Sequence, residues 1–293
     1  MIPAPGRPSV ITDEMVASVE AKVLENRRFT ISALSNDFPE VSRSVLYKIV
    51  SEKLNFKELC SRWVPKLLTE EHKNKRFECS LNFLTRYNEE GGAMLSRIVK
   101  GDETWVSHVT PESKQQSMEW SHTHFPVRVK AKQTLSQSKI IASVFWDRHS
   151  VLMVDFMQRG TTINAVAYGQ TLRKLRTAIQ NKRRGMLTDG ILLLHDNARP
   201  CTAAQTRDLL DSFGWEILDH PMYIPDLAPS DFHLFRHLKH HLGGNHYNAD
   251  EDVKTAMTSW LTEQAASFYE EGIQNLVVRY DKCLNKLGSF VEK

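Results

Sequence analysis

The chain has 293 residues, 41% of them hydrophobic and 25% charged, a balance that suits one or two folded domains with at least one sizeable core. It has no run of about 18 apolar residues for a membrane span. Its start, MIPAPGRPSV, has neither the apolar stretch of a signal peptide nor an Arg-rich transit pattern. Cys60, Cys79, Cys201 and Cys283 form no CxxC pair, which suits a reducing intracellular setting. The net charge of +3 says little by itself, but its distribution is uneven. Arg159, Arg173, Lys174, Arg176, Lys182, Arg183 and Arg184 fall in one stretch without an acid, and Arg128, Lys130, Lys132 and Lys139 in another. Such stretches suit a phosphate backbone, or simply a solvated face.

In chain order, residues 1–11 read as a flexible linker in which Arg7, between Gly6 and Pro8, can reach an A·T minor groove. Residues 12–56 read as three short helices. Met15, Val16, Val19, Val23 and Leu24 keep a helical period in the first. Thr30 can cap a second, Ile31–Phe38, which Pro39 ends. Ser42 can cap a third, running to about Leu54, that buries Val45, Leu46, Ile49, Val50 and Leu54. Arg43, Ser44, Tyr47 and Lys48 then face outward near its start, as in a helix-turn-helix presented to a major groove. Residues 57–95 read as a connector holding Trp63-Val64-Pro65 and a helix from Thr69 to about Tyr87.

From residue 96 the pattern becomes α/β. Ile98–Val106, Lys139–Trp146 and Val151–Met157 predict strands, Thr162–Lys182 a helix, and Ile191–His195 a strand buried on both faces. Helices follow at about Thr202–Phe213, Asp231–Leu242, Asp252–Gln264 and Glu270–Leu287. This order predicts a mixed sheet covered by helices on both faces. Trp105, Trp120, Trp146, Trp215 and Trp260 are expected in the core. His233, His237 and His241 share one helical face, read as a solvated or DNA-facing stripe because further zinc ligands are missing.

Asp102 lies in the first strand, Asp196 at the end of the Ile191–His195 strand, and Asp231 at a helix start. Such positions gather ligands in α/β folds. Three carboxylates in one pocket need a cation, and hard oxygen donors favour Mg²⁺ or Mn²⁺. Two such ions can activate a water or a 3′-hydroxyl for in-line displacement at phosphorus. Each Asp taken alone is more often a helix cap or a surface charge than a metal ligand.

The blocks Gly101-Asp102-Glu103-Thr104-Trp105-Val106, His195-Asp196-Asn197-Ala198-Arg199-Pro200 and HPMYIPDLAPSDFHLF (220–235) resemble the mariner branch of the Tc1/mariner transposases. Asp196 and Asp231 are separated by 34 residues and the third acid is Asp, as in mariner and unlike its Tc1 relatives. The likeness runs from Gly6-Arg7-Pro8 through Trp63-Val64-Pro65 and Lys182-Arg183-Arg184 to the closing Arg279-Tyr280-Asp281-Lys282-Cys283-Leu284. It implies an RNase-H-like catalytic core over 96–293 behind a small all-α helix-turn-helix domain. It also implies a catalytic and metal-binding triad of Asp102, Asp196 and Asp231. The expected partner is double-stranded DNA: transposon inverted repeats and TA target sites. A homodimer linked through Trp63-Val64-Pro65, DNA contacts that include Arg183 and Arg184, and a nuclear setting complete the expectation. Family members usually carry a first helix-turn-helix before Gly-Arg-Pro, where five residues stand here, so specific binding is expected to be weaker. Cys201 replaces a usual His, Ile224 a usual Ser, and Pro39 stands where a small turn residue is common.

Overall fold

The computed structural model describes residues 11–59, 64–120, 139–158, 160–221 and 224–291, and the chain divides into two compact units between Val64 and Pro65. Arg7 and Trp63 lie outside the described residues.

The first unit is helical. Helix α1 (Asp13–Glu25) is capped by Thr12, α2 (Ile31–Asp37) by Thr30, and α3 (Arg43–Lys48) by Ser42. Each cap hydroxyl accepts a hydrogen bond from the free amide three residues on, at 3.0–3.4 Å. Pro39 disfavours helical geometry at Phe38, and α2 accordingly stops at Asp37. A π-turn, Ile49–Lys53, prolongs α3. Val19, Val23, Leu34, Val41, Leu46 and Ile49 form the core.

The second unit begins with α4 (Glu70–Glu90), capped by Thr69, and α5 (Gly92–Arg97). The chain enters the sheet through β1 (Ile98–Ser107), β2 (Lys139–Trp146) and β3 (Val151–Phe156). Helix α6 (Ala165–Lys182) and the one-turn α7 (Arg184–Asp189) lead to β4 (Leu192–Leu194). Then come α8 (Arg199–Thr202), α9 (Ala204–Phe213) and β5 (Glu216–Ile217). A second π-turn, Ser230–Leu234, opens directly into α10 (Phe235–Leu242), and α11 (Asp250–Glu263) and α12 (Ala266–Asn285) close the unit. The strand order is β3-β2-β1-β4-β5, with β1, β2 and β3 antiparallel and β4 and β5 parallel to β1. The expected mixed α/β sheet is therefore present.

The two-residue period of the strands divides the core between the sheet's faces. Ile98, Val144, Trp146, Leu192 and Leu194 join a cluster with α10, α11 and α12. Val99, Phe145, Leu193 and Leu152 join Leu172, Leu175 and Ile179 of α6 on the other side. Helix α4 lies within the stretch expected to be connector, yet it packs on the second unit, its Phe83 ring stacking on Tyr280 of α12 with centroids 4.4 Å apart.

Two tryptophans expected inside are not: Trp105 is 51% exposed and Trp120 is fully exposed. On β1, Trp105 lies near the strand's exposed end, under Lys139, whose Nζ is 4.2 Å from the ring centroid. The histidine stripe is packed rather than solvated at its start. His233 is buried and its Nε2 bonds Phe268 O at 2.8 Å, while His237 bonds back to His233 O and His241 stacks on Trp260.

Candidate active site

Asp102, Asp196 and Asp231 line one open cavity of about 360 Å³, together with Lys100, Asn197, Ala198, His220 and an apolar wall of Pro221, Ile224, Pro225 and Ala228. Their elements are far apart in sequence, and each is fixed by local chemistry.

Asp102 points from β1 to the same face as Lys100, two residues earlier, and Lys100 Nζ lies 3.1 Å from Asp102 Oδ2. Asp102 Oδ1 accepts a hydrogen bond from the Glu103 amide at 2.9 Å. Gly101 is needed beside it. Its cross-strand partner is Phe145, whose ring occupies the space a Cβ at position 101 would fill.

Asp196 stands just past β4, and its Oδ1 accepts from the Ala198 amide at 3.0 Å, a turn that leads into α8. The next residue's side chain, Asn197 Nδ2, bonds His220 O. On the other flank, Tyr168 OH and His195 Nδ1 are 2.8 Å apart in the core. Burial, helped by the charge of Lys100, lowers His195 to about 4, so its ring is neutral.

Asp231 is the second residue of the π-turn Ser230–Leu234. Ser230 Oγ accepts from Trp146 Nε1 at 3.1 Å, tying the turn to β2. The loop before it is anchored by Asp226, fully buried, which pairs with Arg76 of α4 through two bonds of 3.1 and 2.7 Å. Arg76 Nε also donates to Gly288 O, and Asp226 accepts from the Val291 amide. Asp231 is exposed as a residue, but partial desolvation of its carboxyl in the cavity, then the Asp102 charge, pushes that carboxyl up to about 6.

These donors suit a hard divalent ion. The side chains are carboxylates that crowd one another electrostatically, and the nearby Cys201 thiol is driven well above its usual range by burial and by Asp196. Cys201 is therefore an inert thiol, 3.6 Å from Asp196 Oδ1, and not a nucleophile. Among the described residues no group of three or more His, Cys, Asp or Glu side chains is placed closely enough to hold a metal ion, although the three aspartates line one cavity.

On the other face of β1, Glu103 lines a second cavity of about 340 Å³ with Trp105, Thr162, Ile163 and Cys201. Its carboxyl is raised to about 7 by burial, then by Asp102 and Asp196. Sequence reasoning passed over Glu103, Lys100, His220 and the Arg76–Asp226 pair. A charged residue in the middle of the apolar start of β1 was the available sign for Lys100; Arg76 gave none.

Arg43, Ser44, Tyr47 and Lys48 are all exposed on α3, Tyr47 to 60%. Arg184 is exposed, but the Arg183 guanidinium is committed to Asp147 Oδ2 at 3.0 Å, Ser150 Oγ and Lys182 O, bracing the turn between β2 and β3. Val64 is half-buried and Pro65 exposed at the boundary of the two units.

Residues 110–188 match the family described as Transposase (partial DDE domain), a segment that contains none of the three aspartates. The chain is 32% identical to the mariner Mos1 transposase of Drosophila mauritiana over 96% of its own length and 77% of that protein. It is also 32% identical to the human histone-lysine N-methyltransferase SETMAR over 98% of its length, but spans only 41% of that relative. The structure of a Mos1 paired-end complex with a left transposon end matches the whole chain and 83% of its own, at a TM-score of 0.79 and 31% identity. A Mos1 paired-end complex with Mg matches with the same coverage at a TM-score of 0.80 and 31% identity.

Proposed function

The chain belongs to the mariner family of transposases, and on that premise we propose that it is a divalent-metal-dependent DNA nuclease and strand transferase. Its substrates are transposon terminal inverted repeats, and the freed ends join TA target sites. The single observation that carries this reading is the convergence of Asp102, Asp196 and Asp231 on one cavity from a strand, a strand end and a π-turn.

Bound Mg²⁺ or Mn²⁺ would supply activation of a water or 3′-hydroxyl and charge stabilisation at phosphorus. Asp102, Asp196 and Asp231 would hold it, and the rest of the site serves their placement. The Glu103 amide orients Asp102, the Ala198 amide orients Asp196, and Trp146 and the Arg76–Asp226 pair hold the turn that carries Asp231. Ile224, Pro225 and Ala228 thin the water on the cavity's apolar side, which strengthens the electrostatics of the open side where a phosphate approaches. The exposed Arg43, Ser44, Tyr47 and Lys48 on α3 meet the DNA major groove, with Arg7 and Arg184 as further phosphate or groove contacts. The chain works as a nuclear homodimer through Trp63-Val64-Pro65. The exposed Leu59 and Leu67 on either side of that segment are apolar surface such a contact can cover.

The test is cleavage of a duplex bearing the element's terminal sequence, with Mn²⁺ or Mg²⁺. Asp196→Asn, which removes a charged oxygen but keeps the shape, should lower the rate about 10²–10⁴-fold. Metal-dependent nicking that never rises above that control would leave a transposon-derived DNA-binding protein in place of the enzyme.

A further inference from the structure

Two buried polar atoms in the aspartate cavity are left without a hydrogen bond. Lys100 and His220 both line it, at 0% and 3% exposure. Among the described residues His220 Nδ1 has no hydrogen-bond partner, and neither has Lys100 Nζ, which faces Asp102 Oδ2 at 3.1 Å as an ion pair. Buried polar atoms are nearly always satisfied, so two orphans in one open cavity point to a ligand.

The His220 backbone is held in place for such a ligand. Asn197 Nδ2 bonds its carbonyl, its amide donates to the Asp219 carboxylate, and Pro221 fixes the next φ. Burial, then the charge of Lys100, holds the ring well below its usual range, so it is neutral and donates from one nitrogen only. Lys100 Nζ only donates. A water is a poor guest, because it needs about three polar partners and the wall beside His220 is Pro221, Ile224, Pro225 and Ala228. An anionic oxygen accepts from both donors at once, and each bond is stronger for the charge. A scissile phosphate brings such an oxygen, whose charge grows as the fifth bond to phosphorus forms. Donors already in place and desolvated then favour the transition state over the bound substrate.

We propose that Lys100 Nζ and the His220 ring, with its single ring proton on Nδ1, form a two-donor hole for one non-bridging oxygen of the scissile phosphate. Both are catalytic residues in this scheme, since they touch the phosphoryl group that reacts. The inference rests on reading the cavity as a site of phosphoryl transfer.

The first readout needs neither metal nor DNA. Without a ligand the orphaned nitrogen costs stability, so His220→Phe, which keeps a flat ring and has cavity space to fill, should melt about 2–4 °C above the parent. A ring that served only packing or a bound water would melt lower when replaced. The second readout is cleavage of a duplex bearing the element's terminal sequence, with one phosphorothioate at the cut position and its two stereoisomers separated. The parent should cut one isomer at least about 10-fold more slowly than the oxygen duplex, in Mn²⁺ as in Mg²⁺, because sulfur is a poor acceptor for N–H. His220→Phe should slow the oxygen duplex about 10²–10³-fold and cut that isomer no worse than the oxygen duplex. His220→Asn, which returns an N–H near the Nδ1 position, should recover part of the rate and of the isomer preference. Lys100→Met combined with His220→Phe should cost less than the product of the single losses, because both donors meet one oxygen. If the phenylalanine variant does not fold, His220→Leu carries the same comparison. A lower melting temperature for both apolar variants, an unchanged rate, or an isomer preference that persists without the ring would overturn the hole and leave the metal-dependent nuclease standing. No metal-dependent cleavage by the parent would overturn both.

Discussion

Replacing Arg76 should unseat the third aspartate from a distance. The guanidinium is fully buried in α4, gives two hydrogen bonds to Asp226 and one to Gly288 O at 2.7 Å, and lies 5.0 Å from the Phe290 ring centroid. Arg76→Met keeps much of the volume and removes the charge. Among the described residues the Asp226 carboxylate then keeps the Val291 amide, while Arg279 bonds the backbone O of Asp226. Breaking a buried pair from one side costs about 3–5 kcal/mol, which for a unit of this size lowers the melting temperature by about 10 °C. The double variant Arg76→Met/Asp226→Leu removes both charges and should recover most of that loss, since the penalty lies in the orphaned carboxylate. Function should recover less, because the loop ahead of Asp231 has still lost its anchor. Urea denaturation of parent, single and double variants gives the stabilities, and Mn²⁺ titration gives the site. A single variant within about 1 kcal/mol of the parent, or a double variant no better than the single, would refute the reasoning.

Gly101→Ala should cost about 1–3 kcal/mol and impair metal binding, because the new methyl meets the Phe145 ring. Adding Phe145→Leu should restore part of both, and thermal melts with and without Mn²⁺ read the result. Asp231→Asn should separate stability from activity by pH. An acid whose folded value is raised to about 6 costs stability as pH climbs from its ordinary value near 4 through 6. The variant should therefore exceed the parent by about 1 kcal/mol at pH 7.5, discounted for the exposure of Asp231, and match it below pH 4. Equal stability differences at the two pH values would contradict this. Binding of this chain to duplex DNA should weaken steeply with salt, and Arg43→Ala and Lys48→Ala should each reduce the salt slope by about one. Titrations at two salt concentrations measure it, and nanomolar repeat-specific binding at physiological salt would count against phosphate-dominated affinity.

Local signals carried much of the fold. Thr30 and Ser42 cap the helices expected of them, and strands begin at Ile98, Lys139 and Val151 as expected, the last from its alternation. The helix expected from Thr162 begins at Ala165, because the Asn164 side chain accepts from the Ala167 amide and caps it there. Helices α5 and α7 and strand β5 are too short to show a period and exist through packing. Trp105 and Trp120 misled because a tryptophan's size favours the core, whereas a strand end or a loop can present one outward. The acids of the site were legible as points in a pattern. Their supports were not, since Arg76 and Asp226 are 150 positions apart and only the fold brings them together.

The two departures beside the acids act on the medium more than on the donors. Ile224 is buried and forms part of the apolar wall of the aspartate cavity, where a hydroxyl would hold water. Cys201 is buried behind Asp196 and offers a weak, protonated thiol in place of a ring nitrogen. Both changes leave every carboxylate oxygen in place while removing polar groups around it. A drier surround raises the penalty for uncompensated negative charge, and so raises the value of any cation that enters. Lys100 supplies part of that compensation from within the chain. The same change of medium that weakens orientation of Asp196 thus makes the internal ammonium more effective. Cys201→His should test this balance. It returns a polar ring beside Asp196, an effect typically about 10–100-fold on metal affinity or rate. The gain should be larger in the Lys100→Met background, where the ammonium no longer compensates. Additive effects of the two substitutions on Mn²⁺ affinity would show that ring and ammonium act independently and would break the argument.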